Sequence, residues 1–196
     1  MEVRKEIKTV IDSKSEREIL MFLKNNCDFL FPQRSVNSIY LDTKNFDIYK
    51  INNFEDVDTF KYRFRYYGKK SSDFNFEKKY NNGGQKYKLV NKEFKYDENR
   101  ISPYHYDNYL LYPVTHVSFV RKYFKYKNIR ITLDSNIKFK KPLNQDLNPI
   151  VISEKKIIVE QKILDSFDSK IETNLLFRPG KYSKFMKSIE YLYPNV

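Results

Sequence analysis

The chain has a single cysteine, Cys27, so it can form no disulfide within itself and no zinc site built on cysteine pairs. A lone thiol fits a reducing compartment. Glycine is scarce: Gly68, Gly83, Gly84 and Gly180 are all there are. Neither a Walker A loop nor a dinucleotide-binding fingerprint can be drawn from them. The two histidines, His105 and His116, have no evident triad partner and read as structural rather than catalytic. Cys27 reads as a core or helix-end residue rather than a nucleophile. No segment approaches the roughly 20 consecutive apolar residues that span a bilayer. The start, Met1-Glu2-Val3-Arg4-Lys5-Glu6, lacks the apolar run of a secretory signal. The expectation is a soluble, cytoplasmic protein. Acidic residues are also in deficit, 25 against 37 Lys and Arg, for a net charge of +12. That imbalance points to a polyanionic partner, whether nucleic acid, anionic lipid or phosphates. Tryptophan is absent, and 17 Tyr with 16 Phe supply much of the core instead. The length of 196 residues suits one domain.

What is present is an alternation. In Lys61-Tyr62-Arg63-Phe64-Arg65-Tyr66 a strand would put three cations on one face and three aromatics on the other. The pattern recurs. Arg4, Glu6 and Lys8 share a face, as do Glu77 and Lys79, then Arg130, Thr132 and Asp134, then Glu160 and Lys162. The opposite faces are largely apolar, with Val3 and Ile7, Phe64, Phe76, Ile129, Ile131, Leu133 and Val159. One such strand is explained by a solvated face. Five strands with arginines and glutamates at matched positions call for an anion.

The alternation predicts strands over 4–11, 35–42, 60–67, 74–80, 85–90, 115–126, 128–135 and 156–164. Ser13 with Glu16 predicts a capping box, followed by a helix on Ile19, Leu20, Phe22 and Leu23 that ends near Asn25-Asn26. Short helices are predicted over 44–50, 167–177 and 183–193, a turn at 81–84 and a loop over 142–149. Pro103 and Pro113 limit the tyrosine-rich stretch 91–112. Eight strands against a few helices give an α+β class on an antiparallel sheet. Closed into an eight-stranded barrel, one sheet face becomes a lumen. Cations lining it are untenable without anions to meet them, and Arg and Lys are the residues for phosphate oxygens. Glu6, Glu77, Asp134 and Glu160 would then serve a divalent cation, Mn2+ or Mg2+. Cations plus metal around a phosphoryl group is an arrangement for phosphoryl transfer.

In order and spacing these motifs resemble the VTC domain of polyphosphate polymerases, within the CYTH or triphosphate tunnel metalloenzyme superfamily. The resemblance runs through Arg4-x-Glu6-x-Lys8, Ser38-Ile39-Tyr40-Leu41-Asp42-Thr43, Lys61-x-Arg63-x-Arg65-x-Tyr67 and Glu77-Lys78-Lys79. It continues through Phe119-Val120-Arg121-Lys122-Tyr123, Arg130-Ile131-Thr132-Leu133-Asp134, Glu160-Gln161-Lys162 and Ser183-Lys184. It covers the chain nearly end to end and implies one tunnel domain over 1–196, an eight-stranded antiparallel barrel with flanking helices. It implies transfer of the terminal phosphoryl group of ATP to a growing polyphosphate chain. By the same resemblance Lys8, Arg63, Arg65, Lys79, Arg121, Arg130 and Lys184 line the tunnel and hold phosphates. Lys61, Lys86, Lys162, Ser183 and Tyr123 are further substrate-side positions. Glu160 is the principal metal ligand, with Glu6 and Glu77 behind it. Phe119 stands where the family often has Tyr. The chain resembles the compact bacterial form, without the regulatory domain or membrane spans of fungal relatives. The partners implied are ATP and polyphosphate, with no specific nucleic acid; association with a membrane through a partner protein stays open. Two other readings stay open as well: a metal-dependent triphosphatase on the same fold, and a non-catalytic polyphosphate- or nucleic-acid-binding module.

Overall fold

The computed structural model describes residues 6–54, 58–68, 74–82, 85–97, 99–100, 102–142, 148–163 and 179–196, with the backbone alone for Asn82, Gln85 and Ile163. The predicted helix over 167–177 and the Gly83-Gly84 turn lie outside the described residues. Ten strands and three α-helices are described, so the α+β class holds: β1 (Glu6–Asp12), α1 (Glu16–Asn26), β2 (Asp28–Asp42), α2 (Asp47–Asn53), β3 (Thr59–Tyr67), β4 (Asn75–Asn82), β5 (Gln85–Asn91), β6 (Tyr104–Tyr106), β7 (Tyr109–Tyr126), β8 (Ile129–Lys140), β9 (Ile152–Ser153), β10 (Lys156–Ile163) and α3 (Lys184–Leu192). The strand order is β1-β10-β8-β7-β2-β3-β4-β5, with β6 on β7 and β9 on β8.

That order has two ends, β1 and β5, so among the described residues the ladder is open, and the closed barrel expected from the alternation is not made by strand pairing. The edge of β1 meets a different element. The Lys8 carbonyl accepts the Gly180 N–H at 2.8 Å, and the Lys8 ammonium donates to the Tyr182 carbonyl at 3.1 Å. A strand edge needs such cover, because its unpaired backbone groups otherwise recruit other strands.

The chain divides into two compact units, Met1–Ser35 with Phe119–Ile137 and Glu154–Tyr182, and Val36–Ser118 with Lys138–Ser153 and Ser183–Val196. In the first, β1 pairs antiparallel with β10, and β10 with β8. The alternation does there what period 2 requires. Ile129, Ile131, Leu133, Ile157 and Val159 turn to one face and pack with Ile19 and Leu23 of α1 and with Phe124. The capping box is not formed. A single 3-10 turn, Ser13–Ser15, precedes α1 and hands the first donor, Lys14 N–H, to the Asp12 carboxylate at 3.0 Å. β2 begins earlier than predicted, at Asp28, because Phe29, Leu30 and Phe31 are good strand formers and Pro32 lies in an exposed stretch where its missing donor costs little.

In the second unit β2, β3, β4 and β5 pair in antiparallel succession. The even face of β3 is aromatic and builds the core. Phe64 stacks on Phe94 at 5.8 Å and meets Phe76 and Tyr104 at 5.3 and 5.1 Å. β7 starts at Tyr109 and runs through Pro113, which was expected to limit the tyrosine-rich stretch 91–112. His116 of β7 lies in this unit. Its Nε2 sits 3.2 Å from Asn37 Oδ1 and 3.5 Å from the Tyr66 hydroxyl. Burial, seconded by the Lys140 charge, lowers its pKa to about 4. The folded state therefore resists protonation while the unfolded chain titrates near 6.5. Stability is complete above that value and falls as pH drops from 6.5 toward 4, by on the order of 3 kcal/mol at full extent. Urea titrations across this window should show that slope, and His116→Gln should flatten it. An unchanged slope in the variant assigns it to other groups.

Candidate active site

The predicted site residues fall into two sets, one in each unit. In the second unit β2 and β3 are in register with Ser38 opposite Arg65 and Tyr40 opposite Arg63, and β3 and β4 with Arg63 opposite Glu77 and Lys61 opposite Lys79. Odd residues of β3 and even residues of β2 therefore share one face. On it Arg63, 4% exposed, donates from Nε to Glu77 Oε2 at 2.8 Å, again from Nη2 to the same oxygen, and from Nη1 to the Tyr40 hydroxyl at 3.3 Å. The other Glu77 oxygen meets Lys88 Nζ at 3.4 Å. Burial opposes the Glu77 charge, but Arg63 and then Arg65 outweigh it and pull the carboxyl down to about 2. Arg65 donates from Nε and Nη2 to Ser38 Oγ, both at 3.2 Å.

The N-terminus of α3 belongs to the same group. Ser183 is its N-cap, its Oγ accepting the Met186 N–H at 3.3 Å and the Lys61 ammonium at 2.9 Å. Phe185 packs on the Tyr40 ring at 5.3 Å. Burial pushes the Tyr40 phenol up, yet Arg63, Arg65 and Lys184 together bring it below the usual tyrosine range. Four cations, a hydroxyl and a helix N-terminus around buried phenol and guanidinium groups form a strongly electropositive patch. Lys79 is half-buried on the same face, and Lys86 is exposed.

In the first unit the charged face of β1, β10 and β8 is a grid. One row is Glu6, Lys162 and Arg130; the next is Lys8, Glu160 and Thr132. Lys162 Nζ lies 3.4 Å from Glu6 Oε2 and 3.1 Å from Glu160 Oε1, and Lys8 Nζ lies 3.8 Å from Glu6 Oε1. Arg121 of β7 holds fully buried Asp134 by two bonds, Nε to Oδ1 at 2.6 Å and Nη2 to Oδ2 at 2.7 Å. Burial works against the Arg121 charge, but Asp134, then Glu160, hold its pKa above the ordinary arginine value. The Phe119 ring backs this guanidinium at 5.3 Å, so the residue standing in place of a tyrosine gives it an aromatic face instead of a hydroxyl. Tyr123 packs edge-on against Phe31 at 5.8 Å.

The carboxylates expected to serve a metal thus separate by role. Glu77 and Asp134 are committed to arginines. Glu6 and Glu160 converge on one point, held here by the Lys162 ammonium, and across from Glu160 the buried Thr132 Oγ1 has no hydrogen-bond partner. Among the described residues no group of three or more His, Cys, Asp or Glu side chains forms a metal-binding cluster. Two carboxylates nonetheless fit Mg2+ or Mn2+, which take one or two protein carboxylates and fill the remaining positions with water and phosphate oxygens. Ser38, Tyr40 and Lys88 were absent from the predicted site. The signal for the first two was available: they stand two residues apart on a strand, the spacing of Arg63 and Arg65.

The family model for the VTC domain matches residues 3–108 and 102–193. Among solved structures the chain is similar to a Hippeastrum protein described as a candidate adenylyl cyclase with a dominant triphosphatase activity. The identity is 12%, over 84% of this chain and 80% of that one, with a TM-score of 0.50. It is also similar to a candidate adenylate cyclase from Bacillus halodurans, at 15% identity over 82% and 80% of the chains and a TM-score of 0.49. The search of curated proteins finds no match. At these identities the structural likeness concerns the fold.

Proposed function

The chain belongs to the VTC domain family, and on that footing we propose that it is a phosphotransferase acting on triphosphates, passing the terminal phosphoryl group of ATP to a growing polyphosphate chain. The observation that carries the reading is the Arg63–Arg65 array, two buried guanidiniums locked by Glu77, Tyr40 and Ser38 beside the N-terminus of α3. Guanidiniums held in fixed orientation suit the oxygens of a multiply charged phosphate, and this array sets two of them side by side. In the transfer a terminal oxygen of the acceptor bonds the γ-phosphorus as its bond to the β–γ bridging oxygen breaks, and ADP leaves with that electron pair. No protein nucleophile is required. The chain's work is to orient phosphates and neutralise charge. Arg63, Arg65, Lys61 and Lys184 take that part in the second unit; Lys8, Arg121 and Arg130 take it in the first. Glu160 and Glu6 would hold Mn2+ or Mg2+, which when bound neutralises phosphate oxygens. Among the described residues no helix is long and apolar enough to cross a membrane.

The second reading differs only in the acceptor, water, and the triphosphatase activity described for the Hippeastrum protein favours keeping it. Incubation with ATP and Mn2+, followed by a gel stained for polyphosphate, separates them. A ladder of long chains is the expected product. Phosphate release without chains makes the protein a hydrolase, and neither product, with polyphosphate still bound, leaves only a binding module. Glu160→Gln should lose at least about a hundredfold in rate with an unchanged circular dichroism spectrum. Full activity in that variant removes Glu160 from the metal role.

A further inference from the structure

Lys162 occupies an unusual place for a phosphate-binding lysine. Its ammonium is bracketed by two carboxylates on neighbouring strands, 3.4 Å from Glu6 and 3.1 Å from Glu160. Its register neighbour on the other side is Arg130. The face is recessed, with the Lys162 and Glu160 side chains 18% and 8% exposed. Two buried polar atoms on the same face are unsatisfied. Thr132 Oγ1 lies opposite Glu160, and Arg130 Nε belongs to the residue opposite Lys162. An orphaned oxygen beside a carboxylate wants a cation or a water held by one, and an orphaned guanidinium N–H wants an anion. A divalent cation between Glu6 and Glu160 with a phosphate at Arg130 satisfies both, but the Lys162 ammonium stands where that cation would go.

We propose that Lys162 is a resident cation that exchanges with the divalent metal: it neutralises the Glu6–Glu160 pair until metal enters, then swings off the carboxylates to the phosphate that arrives with the metal. This rests on the reading of Glu6 and Glu160 as the metal-holding pair. The charge account supports exchange over simple addition. Glu6 and Glu160 carry two negative charges, and Lys8 and Lys162 already balance them. A dication added without displacement would face two ammoniums within a few ångströms in a half-buried setting, where unit charges 4 Å apart repel by about 4 kcal/mol at an effective dielectric constant of 20. Displacement by metal alone leaves an unpaired, half-buried ammonium, and a triphosphate removes that penalty. Metal and triphosphate therefore bind with positive, reciprocal coupling, and the protein without nucleotide holds metal weakly. Neutralising the pair in the apo state also stops two carboxylates from repelling each other on adjacent strands.

The test measures Mn2+ binding to the whole protein by loss of the free-ion EPR signal, without ATP and then with tripolyphosphate. Lys162→Met should bind Mn2+ roughly tenfold or more tightly than wild type without tripolyphosphate, and its affinity should gain less from adding it. Lys162→Arg, which keeps the charge, should stay as weak as wild type. Glu160→Gln should lose the site in every background. Unchanged or weaker Mn2+ binding in Lys162→Met, with Glu160→Gln still losing it, overturns the exchange while leaving the metal-holding pair standing. Equal binding by wild type and Glu160→Gln, or none by any variant, overturns both. Circular dichroism on each variant, and the Lys162→Arg control, separate a folding defect from a loss of competition.

Discussion

Arg121→Met should cost the protein about 3–5 kcal/mol of stability, the penalty for leaving a buried carboxylate without its partner. Asp134 has no exposed surface, and Arg121 engages each of its oxygens with a separate nitrogen. Removing the guanidinium takes away two charge-assisted bonds and keeps the desolvation that they offset. It also takes the cation from the face of Phe119, a smaller loss. The pair as a whole is a different matter. Replacing a buried ion pair by apolar groups of similar volume is often neutral or better, so Arg121→Met with Asp134→Leu should recover most of the lost stability. Urea unfolding of the four proteins in the cycle gives the coupling directly. A single variant as stable as wild type would mean that other groups around Asp134 carry its charge, and a double variant as unstable as the single would mean that the damage lies in packing. Activity should follow a separate course. The double variant folds but lacks a guanidinium assigned to phosphate, so its turnover should stay low where its stability returns.

This pair also shows what the sequence could and could not disclose. The face alternation is a local property of period 2, and it placed Lys61, Arg63 and Arg65 on one side of β3 and Phe64 on the other without error. The family was legible for the same reason, since its motifs are runs of alternating residues within single strands. Partner choice is not local. Asp134, Glu77, Glu6 and Glu160 look alike as carboxylates on charged faces, and only the register of neighbouring strands decides that two of them answer arginines while two share a lysine. Ser38 and Tyr40 were visible as a motif, but their purpose depends on standing opposite Arg65 and Arg63. Barrel closure was over-read for a related reason. Alternation says that a sheet has two unlike faces and is silent on what meets its edges, and at β1 the edge meets Gly180. The missed capping box has a backbone cause: the two donors it would use are taken by carbonyls, the Ser13 N–H by that of Lys155 and the Glu16 N–H by that of Ser13.

Arg63 and Arg65 should separate when each is removed, because they are held differently. Arg65→Ala should weaken tripolyphosphate binding by about tenfold to a hundredfold, the worth of one or two hydrogen bonds to a charged group, with a modest change in stability. Two of its hydrogen bonds go to the Ser38 hydroxyl, a neutral group that loses little when the guanidinium leaves, and its charge supports Glu77 only after that of Arg63. Arg63→Met should lose as much affinity and also several kcal/mol of stability, because Glu77 is 3% exposed and its low pKa depends chiefly on Arg63. Glu77→Gln added to Arg63→Met removes the stranded charge, so stability should return while tripolyphosphate binding does not. Calorimetric titration with tripolyphosphate at low ionic strength, alongside urea unfolding, reads the two quantities independently. The acid range adds a check. A carboxyl depressed to about 2 contributes stability that is whole above the unfolded value of 4.5 and is lost as pH falls toward 2, so the deficit of Arg63→Met against wild type should narrow over that interval. If the affinity of Arg65→Ala is unchanged, the phosphate does not lie on this face of β3. If Arg63→Met/Glu77→Gln binds tripolyphosphate as wild type does, the ion pair is a structural brace and the anion belongs to the other guanidinium and the N-terminus of α3.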